Sequence, residues 1–275
     1  MPSPSPFIVH NSGSHAVLSE SLTLELLAKS EEYPFAHEAD IFIPERDEIF
    51  ITSNCIKDPG QSGGQRVQIT QHSGTGAIGT GLTCEELAVP ILTASGEVDY
   101  KRWLSRLRPR DPMGALYPTC PRGRHTQRPI RAMADWFGRP NGLCFSPDEQ
   151  VVYVTDTVWI HSDGETDDTR ISSIYAFDLM TRNNHLFLPN RRLFAVADSG
   201  IPDGVKCDLD GDLCSGCGDG VNVWFPGERI SRLAIGGRGV ANFCFNREDE
   251  TYLLRVQLTG DVRGPFLGIY ILRLV

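Results

Sequence analysis

The fold is decided by the stretch Arg139-Pro-Asn-Gly-Leu-Cys-Phe-Ser-Pro-Asp-Glu-Gln-Val-Val-Tyr-Val-Thr-Asp-Thr157. A polar bend at Pro140–Gly142 opens it, and the apolar run Leu143–Phe145 follows. A Ser-Pro-Asp-Glu turn then leads into the β-branched and aromatic run Val151–Val154. Two apolar runs on either side of a turn predict a β-hairpin, with a polar residue at the mouth of its first strand.

The same hairpin pattern recurs in the chain. In one copy Glu38 falls on the position of Asn141, and the turn that follows also coincides. A third copy places Asp203 there, and a fourth, weaker copy places Ala241 there. Repeated units of several short strands predict a β-propeller, with a non-repeating β-sandwich as the alternative. Because the innermost strands of a propeller start near its central channel, residues at this shared position should converge on one axis.

Domain organisation is expected to be simple, because all-β folds of 275 residues are often single domains. Residues 1–15 predict a flexible leader, and residues 16–275 a single propeller domain. Within it, Ala16–Lys29 fits either a short helix or an edge strand. Residues 55–138 contain no Asn, and residues 101–131 hold nine basic residues against one acid. Since that segment also has five prolines, which suppress regular strands, it predicts an irregular basic insertion.

Composition argues against several classes of function. The formal net charge of −9 is the wrong sign for neutralising phosphates, so we expect no nucleic-acid partner. No apolar stretch reaches the length of a membrane span, so no membrane partner is expected. Met1–Pro6 lacks the basic segment and apolar core of a secretory signal, which leaves a cytoplasmic location as the default, with secretion as the alternative. Eight cysteines are too dilute for a disulfide scaffold and predict buried free thiols.

The shared position carries the chemistry of the candidate site. Glu38, Asn141 and Asp203 would present two carboxylates and one amide oxygen, a set that suits a hard divalent cation such as Ca²⁺ or Mg²⁺. A cation would offset the repulsion between the carboxylates. It would also polarise a carbonyl group and activate water, as ester or lactone hydrolysis requires.

Each residue also has a plainer interpretation. Asn141 and Asp203 both precede Gly after Pro, so either could serve only to form a turn. Glu38 lies in no such turn. His37 is a candidate hydrogen-bond donor to the substrate, with a structural role as the alternative.

Two further motifs are weaker candidates. Cys214-Ser-Gly-Cys217 has the spacing of a zinc half-site, but the chain offers no second pair of suitable spacing. Asp208-Leu-Asp-Gly-Asp212 has the acidic spacing of a calcium loop, yet its Gly comes too early for an EF-hand. We expect a plain β-turn there.

In these motifs the chain resembles the gluconolactonase/regucalcin-like (senescence-marker-type) β-propeller family, in particular its fungal lactonohydrolase branch. The phrases that carry the resemblance are Phe35–Ala39, Pro140–Asp148, Val152–Thr157, Ile201–Gly211 and Gly239–Phe245. The resemblance implies a six-bladed propeller that hydrolyses sugar or related lactones with one divalent cation on its axis. Ca²⁺ is the favoured ion, with Mg²⁺, Mn²⁺ and Zn²⁺ as alternatives.

By the same resemblance, Glu38, Asn141 and Asp203 fall on metal-ligand positions, and Asp203 is the favoured general base for the attacking water. The family places a further axis-facing Asn in an intervening blade, whereas residues 55–140 contain none. We therefore expect a propeller that is incomplete or irregular over residues 55–138. The expected function is a metal-dependent lactonase acting on a small-molecule lactone. The alternative is a non-catalytic metal- or ligand-binding propeller, or a truncated inactive family member.

Overall fold

A computed structural model of the chain gives its fold. It describes residues 7–10, 22–28, 38–43, 48–52, 56–57, 65–66, 69–73, 114–116, 132–160, 166–183, 185–225, 228–233, 239–248, 251–259 and 269–274. These ranges are built from β-strands and connecting turns. No helix in them is long and apolar enough to cross a membrane.

The strands of the described ranges, in chain order, are β1 (Phe7–Val9), β2 (Leu22–Ala28), β3 (Glu38–Ile43), β4 (Glu48–Thr52), β5 (Ile56–Lys57), β6 (Gln65–Arg66), β7 (Ile69–Ser73), β8 (Gly114–Leu116), β9 (Ala134–Phe137), β10 (Pro140–Phe145), β11 (Val151–Asp156), β12 (Ser173–Asp178), β13 (Met180–Arg182), β14 (His185–Phe187), β15 (Arg192–Val196), β16 (Val205–Cys207), β17 (Leu213–Cys217), β18 (Gly220–Phe225), β19 (Glu228–Leu233), β20 (Gly239–Glu248), β21 (Thr251–Thr259) and β22 (Ile269–Leu274).

Four antiparallel sheets share one plan, in which a hairpin supplies the first two strands. Their strand orders are β3-β4-β7, β10-β11-β12-β15, β16-β17-β18-β19-β1 and β20-β21-β22-β2. Each sheet is named here after its first strand. The four hairpins predicted from the sequence are the ones that begin these sheets, and the predicted all-β class is confirmed.

The first strands lie side by side in the order β10, β16, β20, β3. Strand β10 contacts β16, β16 contacts β20, and β20 contacts β3. The β20 sheet also joins distant parts of the chain, because β2 pairs with β22 in a register that sets Leu22 opposite Leu274. Neighbouring sheets with adjacent first strands are the arrangement of a propeller.

The strand register supports the alignment of the first two hairpins. Their ladders pair Ile41 with Phe50, and Cys144 with Tyr153. A shift of 103 residues, the difference between Cys144 and Ile41, superposes both pairs. The same shift places Glu38 on Asn141.

The apolar core lies between the faces of neighbouring sheets. One cluster joins the β10 and β16 sheets and consists of Tyr153, Ile174, Ala176, Ala195, Val205, Leu213, Cys217 and Trp224. A second buried cluster, Phe137, Val152, Val154 and Phe177, lies on the opposite face of the β10 sheet. At the start of that face Leu143 is 45% exposed, whereas Val205 of the β16 sheet and Phe243 of the β20 sheet, at the matching position, are fully buried.

Three expectations from the sequence meet the described residues only in part. Within the expected flexible leader, Phe7–Val9 form a strand against β19, which corrects that expectation for these residues. The open edge of β19 explains this, because its unpaired backbone groups accept another strand. Leu22–Ala28 form an edge strand and not a helix. In the basic segment 101–131, Gly114–Leu116 form a strand that pairs with β9, and the rest lies outside the described residues.

Candidate functional site

The entry to β10 is fixed by a buried carboxylate at the end of β11. Asp156 accepts hydrogen bonds from the backbone N–H groups of Gly138, at 2.8 Å, and Arg139, at 2.6 Å. Burial leaves Asp156 5% exposed, so these donors replace the water that an ionised carboxylate would otherwise bind. The two residues that lead into Asn141 are therefore held against the hairpin.

Two of the predicted ligands meet at the start of neighbouring first strands. The side-chain Nδ2 of Asn141 donates a hydrogen bond to Oδ1 of Asp203. Asn141 is exposed, whereas Asp203 is buried. The contact therefore has one side open to solvent, where a small molecule could reach it.

A threonine hydroxyl links the backbones beneath this contact. Thr155 Oγ1 donates to the carbonyl oxygen of Asp203 at 2.9 Å and accepts from the N–H of Gly142 at 2.6 Å. Thr155 is fully buried. Gly142 leaves room for this approach, since a Cβ atom at that position would lie 2.4 Å from the Asp203 carbonyl oxygen. The β10 and β16 sheets are thus closely packed where the candidate site lies.

The β16 and β20 sheets meet in a similar way. The N–H of Gly204 donates to the carbonyl oxygen of Ala241 at 2.6 Å. Beside it, the buried side-chain oxygen of Asn242 accepts from Lys206 Nζ at 3.2 Å and from the N–H of Phe243 at 2.9 Å. The apolar Ala241 occupies the shared position here, so this sheet contributes no ligand from it.

Sequence reasoning missed Thr155, Asn242 and Lys206. A signal for Thr155 was present, because the alignment that sets Glu38 on Asn141 also sets Thr52 on Thr155. No comparable repeat marks Asn242 or Lys206, whose contacts depend on how two sheets pack.

The remaining predicted residues are located only in part. Glu38 begins β3 and pairs with Thr52, while its side chain lies outside the described part of the structure. His37 lies outside the described residues altogether. The structure therefore brings Asn141 and Asp203 together, and the ligand role of all three residues stays a prediction.

The donor chemistry at the Asn141–Asp203 contact fits a hard cation. The Asp203 carboxylate offers oxygen, and a half-turn of the Asn141 amide would replace Nδ2 by its oxygen. Among the described residues, no group of three or more His, Cys, Asp or Glu side chains lies close enough to hold a metal ion. A cation at this position would therefore need donors from other residues or from water.

The two weaker motifs have structural roles. Cys214 and Cys217 are both buried on β17, and their spacing of three sets them on opposite faces of the strand. Burial raises the pKa of the Cys217 thiol to about 12, so both the geometry and the chemistry disfavour a zinc pair. Asp208 closes the β16–β17 turn, because its carboxylate accepts from the N–H groups of Asp210 and Asp212.

Comparison with known proteins places these features in a family. The family described as SMP-30/Gluconolactonase/LRE-like region matches residues 102–254, more than half of the chain. The matched range includes residues 102–131 of the basic segment. Whether that segment is an irregular insertion stays a prediction.

Curated relatives match over shorter stretches. A gluconolactonase of Zymomonas mobilis is 29% identical over 118 residues, covering 42% of this chain and 32% of the relative. The lactonohydrolase oryL of Aspergillus oryzae is 35% identical over 144 residues, covering 41% of this chain and 33% of the relative. The matched parts thus span about a third of the length of these curated relatives.

Solved structures superpose on most of the chain. A gluconolactonase from Xanthomonas campestris superposes with a TM-score of 0.57 at 20% identity, covering 98% of this chain and 95% of that one. The calcium-binding protein regucalcin from Agrobacterium tumefaciens gives a TM-score of 0.54 at 13% identity, with 90% and 95% covered. At identities this low, the structural similarity establishes the fold alone. That fold is the one of the gluconolactonase and regucalcin propellers. On the family match, the chain belongs to the SMP-30/gluconolactonase/LRE-like family.

Proposed function

We propose that this chain is a metal-dependent hydrolase that opens a sugar-type or related lactone. The observation that carries the proposal is the contact between Asn141 and Asp203, two oxygen-bearing side chains from neighbouring sheets. Family membership supports it, as do the gluconolactonase and lactonohydrolase relatives. The proposed ring has six blades, and the described part contains four sheets of three to five strands that would serve as blades.

The residues of the proposed site have separate roles. Glu38, Asn141 and Asp203 would hold one divalent cation, Ca²⁺ by preference, since all three offer oxygen donors. When bound, the cation supplies Lewis-acid polarisation of the lactone carbonyl. Asp203 accepts a proton from the attacking water, and His37 donates a hydrogen bond to the substrate. The exposed side of Asn141 leaves a path for the lactone.

The test uses purified protein and glucono-δ-lactone, with ring opening followed by the acid released. We expect turnover with Ca²⁺, loss of turnover after chelation with EDTA, and recovery when Ca²⁺ is restored. Asp203→Asn should lower kcat/KM by about 100-fold or more, the usual contribution of a general base. Asp210→Asn is the matched control, because it removes the same charge from an exposed turn. No detectable turnover of sugar or aromatic lactones, with Ca²⁺, Mg²⁺, Mn²⁺ or Zn²⁺ present, would refute the proposal.

A second function, binding of a metal or small ligand without catalysis, is favoured by one feature of the sequence. Residues 55–140 contain no Asn to complete the donor set that the family resemblance implies. In that case Ca²⁺ would raise the melting temperature, because a ligand that binds only the folded state stabilises it. Lactone turnover would stay at the background rate in the same samples.

A further inference from the structure

We propose that Thr155 is a positioning residue that sets the distance between Asn141 and Asp203. The positioning itself follows from contacts within the chain. Its consequence for metal binding rests on the proposed function.

The hydroxyl of Thr155 has one geometry that satisfies both of its close partners. The Gly142 N–H can only donate, so Oγ1 accepts from it at 2.6 Å. The Asp203 carbonyl oxygen can only accept, so the hydroxyl proton points to it across 2.9 Å. Gly142 directly follows Asn141, and the carbonyl belongs to Asp203 itself. One buried hydroxyl therefore joins the backbones that carry the two meeting side chains.

The neighbouring sheet junction shows what is particular about this link. The carbonyl of Ala241, at the position matching Asp203, accepts from the backbone N–H of Gly204. At Asp203 the matching carbonyl accepts from a side chain. A substitution of Thr155 can therefore remove the donor to the Asp203 carbonyl without changing any backbone N–H or carbonyl group.

Because of the packing around Thr155, we expect loss of its hydroxyl to change the distance between the β10 and β16 sheets. The residue is fully buried, so water does not readily replace the hydroxyl. The backbones of Gly142 and Asp203 are already in close contact, because a Cβ atom on residue 142 would lie 2.4 Å from the Asp203 carbonyl oxygen. Without the hydroxyl, the Asp203 carbonyl oxygen would lose the donor in β11 and the Gly142 N–H would lose its acceptor there. The sheets would then separate at the position of Asn141 and Asp203.

The test compares Thr155→Val, which keeps the side-chain volume and loses the hydroxyl, with Thr155→Ser, which keeps the hydroxyl. The first readout is the side-chain amide signal of Asn141 in a ¹H–¹⁵N NMR spectrum, identified by its disappearance in Asn141→Asp. In Thr155→Val we expect this signal to move to the position of an amide that is hydrogen-bonded only to water, and in Thr155→Ser we expect it to stay in place. An unchanged signal in Thr155→Val would overturn the inference.

The second readout is Ca²⁺ affinity, measured by the rise in melting temperature over a Ca²⁺ titration. Residues that orient metal ligands typically change affinity by about 10- to 100-fold when replaced, and we expect a loss of that size in Thr155→Val alone. Equal Ca²⁺ affinity in both variants would count against the inference, since a purely structural role lowers only the metal-free melting temperature. If Thr155→Val shows no cooperative melt, Thr155→Cys replaces it, with the same expected and opposing results.

The two proposals can fail separately. A wild-type protein that ignores every divalent cation contradicts the metal-dependent function. The Asn141 signal still decides whether Thr155 positions the contact, because that measurement needs no metal.

Discussion

The side-chain amide of Asn141 donates a hydrogen bond to the carboxylate of Asp203, although 62 residues separate them in the sequence. The contact forms because β10 and β16 begin side by side and because Gly142 admits the Asp203 carbonyl without a side chain between them. An amide beside a carboxylate is stable without a cation, since the amide can turn its N–H toward the carboxylate and donate a hydrogen bond.

Replacing that amide by a second carboxylate should make the contact unfavourable. In Asn141→Asp, the new carboxylate and Asp203 repel, so we expect a loss of stability on the order of 1 kcal/mol at pH 7 in EDTA, moderated by the exposure of residue 141. The repulsion raises the pKa of one carboxyl in the folded state. The deficit should therefore shrink as the pH falls through that raised pKa, or when Ca²⁺ is added. Urea unfolding at pH 7 and pH 4.5 measures it, and a deficit that grows at pH 4.5 would contradict the account.

Removing the Asp156 carboxylate should destabilise the start of β10. In Asp156→Ala the half-buried hydrogen bonds from the N–H groups of Gly138 and Arg139 are lost, and losing hydrogen bonds of this kind costs about 1–3 kcal/mol. We expect a loss of that size in the free energy of unfolding. The exposed Asp135→Ala serves as the control for loss of charge and should stay within about 0.5 kcal/mol of the wild type.

Gly142→Ala should separate the β10 and β16 sheets. Its Cβ atom would lie 2.4 Å from the Asp203 carbonyl oxygen and 3.0 Å from the Val205 nitrogen, both backbone atoms that cannot rotate away. Forcing extra volume into a packed site typically costs about 1–3 kcal/mol. Urea unfolding should show that loss, and the Asn141 side-chain amide signal should move as in Thr155→Val. If Gly142→Ala has the same free energy of unfolding as the wild type, the prediction is wrong, because the sheets then accept the added Cβ atom without loss of stability.

Burial of thiols predicts a loss of stability at alkaline pH. Desolvation raises the pKa of Cys144 and of Cys217 to about 12 from an ordinary value of 9.0. Between those values the unfolded chain ionises while the folded chain keeps its protons. Stability is therefore fully present below pH 9 and falls as the pH rises above it, by up to about 1.4 kcal/mol per pH unit for each thiol. The urea midpoint between pH 8 and pH 10.5 measures the slope.

Two substitutions identify the source of that slope. Cys217→Ala should reduce the dependence of the urea midpoint on alkaline pH, because it removes a thiol that ionises only after unfolding. The control Asp210→Asn, at an exposed position, should leave the dependence of the urea midpoint on alkaline pH unchanged. In native protein at pH 8, a thiol reagent should leave Cys214 and Cys217 unmodified until urea is added, because both are buried. Rapid labelling of either residue would contradict this burial.

Much of the candidate site follows from local sequence. A bend residue followed by two apolar runs around a turn predicts each hairpin, and the repeat of that pattern gives the shared position of Asn141 and Asp203. The contact between their side chains agrees with this alignment. Hairpins are accessible to sequence reasoning because their strands are close in the chain and their turns have residue preferences.

Other features could not be foreseen, because they depend on which sheet faces which. The Phe7–Val9 strand exists because β19 presents an open edge, and nothing within those three residues specifies that partner. Thr155 and Asn242 look like ordinary strand residues until the adjoining sheet brings Asp203 or Lys206 to them.

The sequence by itself determined the all-β class, the four hairpins and the polar residue at the mouth of three of them, since these depend on periodicity and turn chemistry over a few residues. The tertiary structure alone decided that β10 and β16 lie side by side, that Gly142 lets them approach, and that Thr155 bridges Gly142 to Asp203. Those contacts join residues far apart in the chain, and their geometry is fixed by the packing of whole sheets.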